Sequence, residues 1–233
     1  MPEATYEERR GEVETYFDRT AAEAWKRLTS DAPVGRIRAT VRAGRDQMRA
    51  TLLGWLPADL SGLTVLDAGC GPGAATIELA RRGAHVIAAD LSPTLVDLAR
   101  ERLPADLGPG RVDFHVGDML DPTIGIVDHV VAMDSFIHYR RADIIGALKT
   151  LAARTRGSMV FTYAPRTAAL ATMHVVGRLF PRGDRAPAIE PVSGRVLHRM
   201  VAVEPALAHW RTGRTERVTS GFYISQALEL TTS

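Results

Sequence analysis

The chain of 233 residues is 45% hydrophobic and 24% charged, the balance of a soluble globular protein of one domain with room for a substantial core. A formal net charge of +2 is too small to point to nucleic acid, and no apolar run reaches the roughly 18 residues that a membrane-spanning helix needs. The single cysteine, Cys70, excludes disulfides within the chain and any multi-cysteine metal site, which suits a reducing cytoplasm.

The opening "MPEATYEERRGEVETYF" alternates acids and bases and has the features of neither a signal nor a transit peptide. Residues 5–56 read as helical: Val13, Phe17, Ala21, Ala24, Trp25 and Leu28 recur at helical intervals, as do Met48, Leu52 and Trp55. Asp31-Ala-Pro breaks this stretch and Pro57 ends it. From residue 63 strand and helix alternate. Strands are expected at 63–67, 85–89, 111–116, 126–133 and 157–163, with helices near 74–82, 93–103 and 141–153. Runs such as "HVIAAD" and "HVVAMD" are apolar without clean alternation, as when helices cover both faces of a parallel sheet, so the fold class is doubly wound, Rossmann-like α/β.

Past Pro165 the rhythm fails. "RTAALATMHVVGRLFP" has the pattern of an amphipathic helix, "RGDRAPAIEPVSG" that of a loop, and a further helical stretch covers 196–209 before strands at 213–218 and 221–229. The expected organisation is a helical arm or cap over 1–57 and an α/β domain over 58–233, with a substrate-covering insertion at 165–210. Nearly every cation is arginine, Lys26 and Lys149 being the only lysines. Arg178, Arg182, Arg185, Arg195 and Arg199 crowd the late segment. Arginine's planar fork suits carboxylates and phosphates, although a GC-rich genome produces the same bias.

"VLDAGCGPGAATIELA", residues 65–80, is a strand, a glycine turn and a helix. Its glycines, Gly69, Gly71 and Gly73, let a ligand approach the backbone closely. Their G-x-G-x-G spacing departs from the dinucleotide fingerprint, and Asp67 would repel a pyrophosphate while favouring an ammonium group. A ligand carrying an amino acid and a sulfonium, S-adenosylmethionine, matches that preference. Asp90 ends the second strand, about 20 residues beyond the loop, where an acid can bridge ribose hydroxyls. Asp118, after the third strand, is placed to accept from an adenine amino group. The competing reading makes Asp90 and Asp118 helix caps or turn residues. Cys70 reads as a small packing residue.

With these motifs in view, "VLDAGCGPG", "AADLS" and "VGDML" resemble the first three motifs of class I S-adenosylmethionine-dependent methyltransferases. The resemblance implies a mostly parallel sheet with a closing antiparallel strand, and it places Leu91, Met119 and Met133 beside the cofactor as well. Longer blocks, "YFDRTAAEAWKRL", "RAGRDQMRATLLGWLP", "VVAMDSFIHYRR", "FTYAPRT", "RLFPRGDR" and "GFYISQALE", resemble the magnesium-protoporphyrin IX O-methyltransferases of bacteriochlorophyll synthesis. Relatives from oxygenic phototrophs carry an aromatic residue near Thr29, so no role of that aromatic is transferred to Thr29.

The resemblance implies methyl transfer to a propionate of magnesium protoporphyrin IX, with S-adenosylhomocysteine as the second product and magnesium arriving in the substrate rather than bound by the protein. It also implies contact with the porphyrin-binding subunit of magnesium chelatase, in the cytoplasm or at the periphery of photosynthetic membranes. His138 and Tyr139, following the fourth strand, are the catalytic candidates. His138 would orient the carboxylate or ligate the magnesium, would act as a base were the acceptor a phenol, or is a structural rim residue. Tyr16, Trp25 and Phe180 are candidates for an apolar wall against the macrocycle, and Arg42 and Arg166 for its other propionate. The remaining histidines have no metal-ligand spacing. A small-molecule methyltransferase with another acceptor and a non-catalytic tetrapyrrole carrier are the rival functions.

Overall fold

The computed structural model describes residues 6–16, 35–166 and 189–232. Trp25 and Phe180, with residues 167–188 of the expected insertion, lie outside the described residues. Strands β1 (Thr64–Ala68), β2 (His85–Asp90), β3 (Arg111–Val116), β4 (Val127–Ala132), β5 (Thr155–Tyr163), β6 (Trp210–Ser220) and β7 (Tyr223–Thr232) form one sheet in the order β3-β2-β1-β4-β5-β7-β6. The first five pair in parallel, and β7 is antiparallel to both of its neighbours. Reversal at Ser220-Gly221-Phe222-Tyr223 explains the odd strand. Gly221 has φ of 59° at the first turn position, the glycine-first pattern of a two-residue hairpin.

Among the described residues the helices are α1 (Tyr6–Tyr16), α2 (Arg36–Gly54), α3 (Ala74–Arg81), α4 (Pro93–Arg102), α5 (Arg141–Ala152) and α6 (Gly194–Val203). Helix α4 starts where Ser92 caps the Leu95 N–H and Pro93 takes the first position, whose N–H would be unused. The helical stretch expected over 196–209 stops at Val203 because Pro205 forces Glu204 into an extended conformation (φ −78°, ψ 115°); a 3-10 turn, Pro205–Leu207, follows.

Adjacent strand residues point to opposite faces, and the two cores divide accordingly. Leu66, Phe161 and Leu228 join Phe136, Ile144, Leu148 and Leu197 on one face. Their neighbours Val65, Val160 and Ala227 join Met48, Leu52, Leu53, Leu60 and Leu79 on the other. The second half of the expected arm is therefore packed into the sheet domain: Met48, Leu52 and Leu53 are fully buried. Helix α2 also seats on the β6–β7 hairpin. Ser220 Oγ donates to the Thr40 carbonyl at 2.8 Å, and a Cβ at Gly44 would stand 2.7 Å from the Tyr223 ring.

Candidate active site

A cavity of about 370 Å³ opens at the carboxyl ends of β1, β2 and β4, where open parallel sheets bind ligands. Asp67 sits at its floor, buried, accepting a 2.6 Å hydrogen bond from Thr76 Oγ1 of α3. Burial pushes its pKa up to about 6. The Thr76 bond opposes that rise, and the neighbouring charge of Asp90 adds to it.

The glycines of the turn serve different ends. Gly71 (φ 51°) faces open space, so only its left-handed backbone demands glycine. A Cβ on Gly69 would meet Ser135 Oγ at 2.2 Å, and that hydroxyl donates to the Ala68 carbonyl at 2.5 Å. Gly73 does not line the cavity. It begins α3, where a Cβ would press on Ala99 of α4 at 3.0 Å.

Asp90 fastens the loop. Its two oxygens accept from the Gly71 N–H at 2.8 Å and the Ser92 N–H at 3.0 Å. Burial raises its pKa and these backbone bonds lower it. The Leu91 N–H is a third backbone donor, and of about four acceptor positions these leave capacity for a ligand hydroxyl. Asp118 accepts from the Leu120 N–H at 2.9 Å, a turn bond, yet also lines the cavity. There α1 reaches it: Tyr6 donates its hydroxyl at 3.1 Å and Arg10 forms an ion pair at 3.1 Å.

His138 and Tyr139 close the other side. The 3-10 turn Phe136–His138 buries His138 against the cavity, and its Ile137 carbonyl accepts from the Glu190 N–H at 2.8 Å. Tyr139 stacks on Tyr6, ring centroids 5.2 Å apart. Burial raises the pKa of Tyr139 well above the ordinary phenol value, so it stays protonated near neutral pH.

The cavity thus gathers Asp67, Gly69, Gly71, Asp90, Leu91, Asp118, Met119, Met133, His138, Tyr139 and Arg42. Tyr16, at the end of α1, and Arg166, exposed beside the Pro165–Val192 bridge, do not line it. Sequence reasoning passed over Asp134, which also lines the cavity. Its φ of 57° is the left-handed value, otherwise taken only by glycines among the described residues. Arg45 holds its Oδ2 at 2.8 Å, Tyr223 donates to Oδ1 at 2.9 Å, and its own N–H donates to Thr162 Oγ1 at 2.7 Å. Non-glycine residues remain in that conformation only where the surroundings fix it. Arg45 and Arg49 were also missed, although the spacing of Arg42, Arg45 and Arg49 puts all three on one helix face, a signal present in the sequence.

A buried acid under a glycine turn, an acid ending β2 with spare acceptor capacity and open space above Gly71 fit S-adenosylmethionine. With this strand order they define a class I S-adenosylmethionine-dependent methyltransferase. The family described as "Methyltransferase domain" matches residues 65–157, and "Magnesium-protoporphyrin IX methyltransferase C-terminus" matches 132–232. The chain is 51% identical over 230 residues to the magnesium-protoporphyrin O-methyltransferase of Rhodobacter capsulatus, covering 98% of this chain and 99% of that one. It is 31% identical to the chloroplastic magnesium protoporphyrin IX methyltransferase of Arabidopsis thaliana, over 93% of this chain and 69% of the relative. The crystal structure of the Synechocystis PCC 6803 magnesium protoporphyrin IX methyltransferase with bound SAH superimposes with a TM-score of 0.84 at 28% identity, covering 97% of this chain and all of that one. The chain belongs to the magnesium-protoporphyrin O-methyltransferase family.

Proposed function

We propose that this chain methylates a propionate carboxylate of magnesium protoporphyrin IX, giving the monomethyl ester for bacteriochlorophyll synthesis. Its end-to-end similarity to the Rhodobacter capsulatus enzyme carries the reading. When bound, S-adenosylmethionine supplies a methyl carbon on a positive sulfur; as the oxygen–carbon bond forms, the carbon–sulfur bond breaks and its electron pair stays on sulfur. Asp67 and Asp90 would hold the cofactor's ammonium and ribose, with Leu91, Asp118, Met119 and Met133 around the base.

A propionate is ionised near neutral pH, so the protein need not remove a proton. Opposite charges at the reacting centre are consumed, and a water-poor cavity favours that loss. The chain's task is placement of the two reacting atoms. His138, buried at the cavity wall after β4, donates a hydrogen bond to the carboxylate and fixes its direction; Tyr139 braces the same wall. Helix α1 caps the cavity, since Val13 and Glu14 line it and Tyr6 and Arg10 bind Asp118.

Among the described residues no helix is long and apolar enough to cross a membrane. We place the reaction in the cytoplasm or at a membrane periphery. The greasy macrocycle is handed over by the porphyrin-binding subunit of magnesium chelatase, a contact that co-precipitation of the two purified proteins would test. The deciding assay incubates the chain with labelled S-adenosylmethionine and either magnesium or metal-free protoporphyrin. Ester formed from the magnesium porphyrin is expected, with His138→Ala lowering kcat by roughly a hundredfold. Absence of ester from both porphyrins rejects the assignment.

A further inference from the structure

The charges around the cavity include two distinct rows. Asp67 lies near the end of β1, Asp90 ends β2 and Asp118 follows β3, whereas Arg42, Arg45 and Arg49 come from successive turns of α2. A cationic cofactor among the acids leaves the α2 wall for an anionic acceptor. Three further acids line the cavity: Glu14 of α1, Asp46 of α2, which pairs with Arg49, and Asp134, just past β4, which faces the α2 wall. Arg45 neutralises Asp134 at 2.8 Å, both side chains being largely buried (19% and 7% exposed). Tyr223 and Thr162 hold Asp134 from the sheet side. Arg49 pairs at 2.9 Å with Asp46, more than half of whose side chain is exposed, whereas the Arg45–Asp134 pair is the buried one.

Resting on the function just proposed, we infer that Arg45 binds a propionate of the porphyrin. Asp134, fixed by Tyr223, is the positioning residue that aims the guanidinium. Asp134 cancels enough of the arginine's charge to keep it from drawing the carboxylate away from the methyl donor. Arg45 in turn removes the repulsion that Asp134 would exert on the acceptor. The planar fork can serve a carboxylate and its own counter-ion on different edges, which a lysine cannot do with the same geometry.

The test compares equilibrium binding of magnesium protoporphyrin IX and its dimethyl ester, followed by porphyrin fluorescence, with steady-state methyl transfer to the diacid. Arg45→Gln should weaken the diacid roughly tenfold or more while leaving the diester within about twofold. Arg45→Lys should fall between Arg45→Gln and the wild type. Arg38→Gln, exposed on α2 and outside the cavity, should behave as wild type. Asp134→Asn keeps a residue that tolerates the left-handed backbone and an acceptor for Tyr223. It should lower kcat without raising KM for the porphyrin, the opposite split from Arg45→Gln. Equal weakening of diacid and diester by Arg45→Gln, or none, overturns the inference. So does a rise in KM with Asp134→Asn. If the wild type forms no ester, the functional reading itself fails; if it does and Arg45→Gln matches it, only this inference fails.

Discussion

The two halves of the cavity are stabilised in different ways. On the cofactor side, Asp67 is buried with a hydroxyl as its partner and, among the described residues, no cation, and burial drives its pKa up to about 6. On the α2 side, Asp134 is nearly as buried but is held by an arginine and a tyrosine. One half awaits its counter-charge from a ligand; the other carries its counter-charge within the fold. A site that must bind a cation is left electrostatically unsatisfied, and that deficit is expressed as lower stability of the empty protein.

The largest effect expected from this contrast is at Asp67. Unfolded, Asp67 titrates near 3.8 and folded near 6, so between these values the folded chain keeps a proton that the unfolded chain has lost. Stability therefore falls as pH rises through that window and levels off above it, by an amount on the order of 3 kcal/mol. Asp67→Asn removes that cost and keeps an acceptor for Thr76. It should raise the melting temperature of the ligand-free protein at pH 7.5 while weakening S-adenosylhomocysteine by roughly a hundredfold. Calorimetric titration beside a thermal scan checks both signs. A loss of stability together with the loss of binding would show that Asp67 is structural instead.

A smaller effect follows from the same titration. The ligand's ammonium selects the ionised carboxylate, so S-adenosylhomocysteine affinity should fall below pH 6 by up to about tenfold per pH unit. Thr76→Val deletes the hydrogen bond that holds the pKa down and should move the midpoint of that fall upward. An unmoved midpoint would assign the titration to another group.

What could be read from the sequence divides along similar lines. The cofactor half rests on contacts close in the chain, Thr76 to Asp67 and Gly71 to Asp90, within one strand-turn-helix and the strand after it. Residue types and spacing suffice there, and the sheet order then brings the acids together. The other half joins Arg45 to Asp134 to Tyr223, and the cap joins Tyr6 to Asp118, pairings that no local pattern encodes. Strand β6 starts at Trp210, earlier than the expected 213–218. A bulge between Thr212 and Thr215, where Arg214 turns to bind Glu229, interrupts the period of two. Gly73 shares the glycine pattern of the turn but answers to helix packing against Ala99, a demand that spacing alone does not separate from ligand approach. Likewise Tyr16 and Arg166 have the chemistry a porphyrin site wants and lie off the cavity, because chemistry without placement does not select among several aromatics and arginines.

The smallest effect is expected where the helical cap meets the cofactor half. A carboxylate offers about four acceptor positions, and Asp118 already serves the Leu120 N–H, Arg10 and the Tyr6 hydroxyl, which lies against both of its oxygens at 3.1 and 3.3 Å. A base bearing an amino group therefore competes with α1 for Asp118. Tyr6→Phe removes the competing donor but keeps the ring that stacks on Tyr139, and Arg9 still ties α1 to Glu190 at 3.0 Å. S-adenosylhomocysteine should then bind about two- to threefold more tightly, a change of about 0.5 kcal/mol, the value of one weak hydrogen bond given up on binding. Weaker binding would mean that α1 contributes more by covering the site than it withholds by occupying Asp118. The cap would then count as part of the cofactor half rather than its competitor.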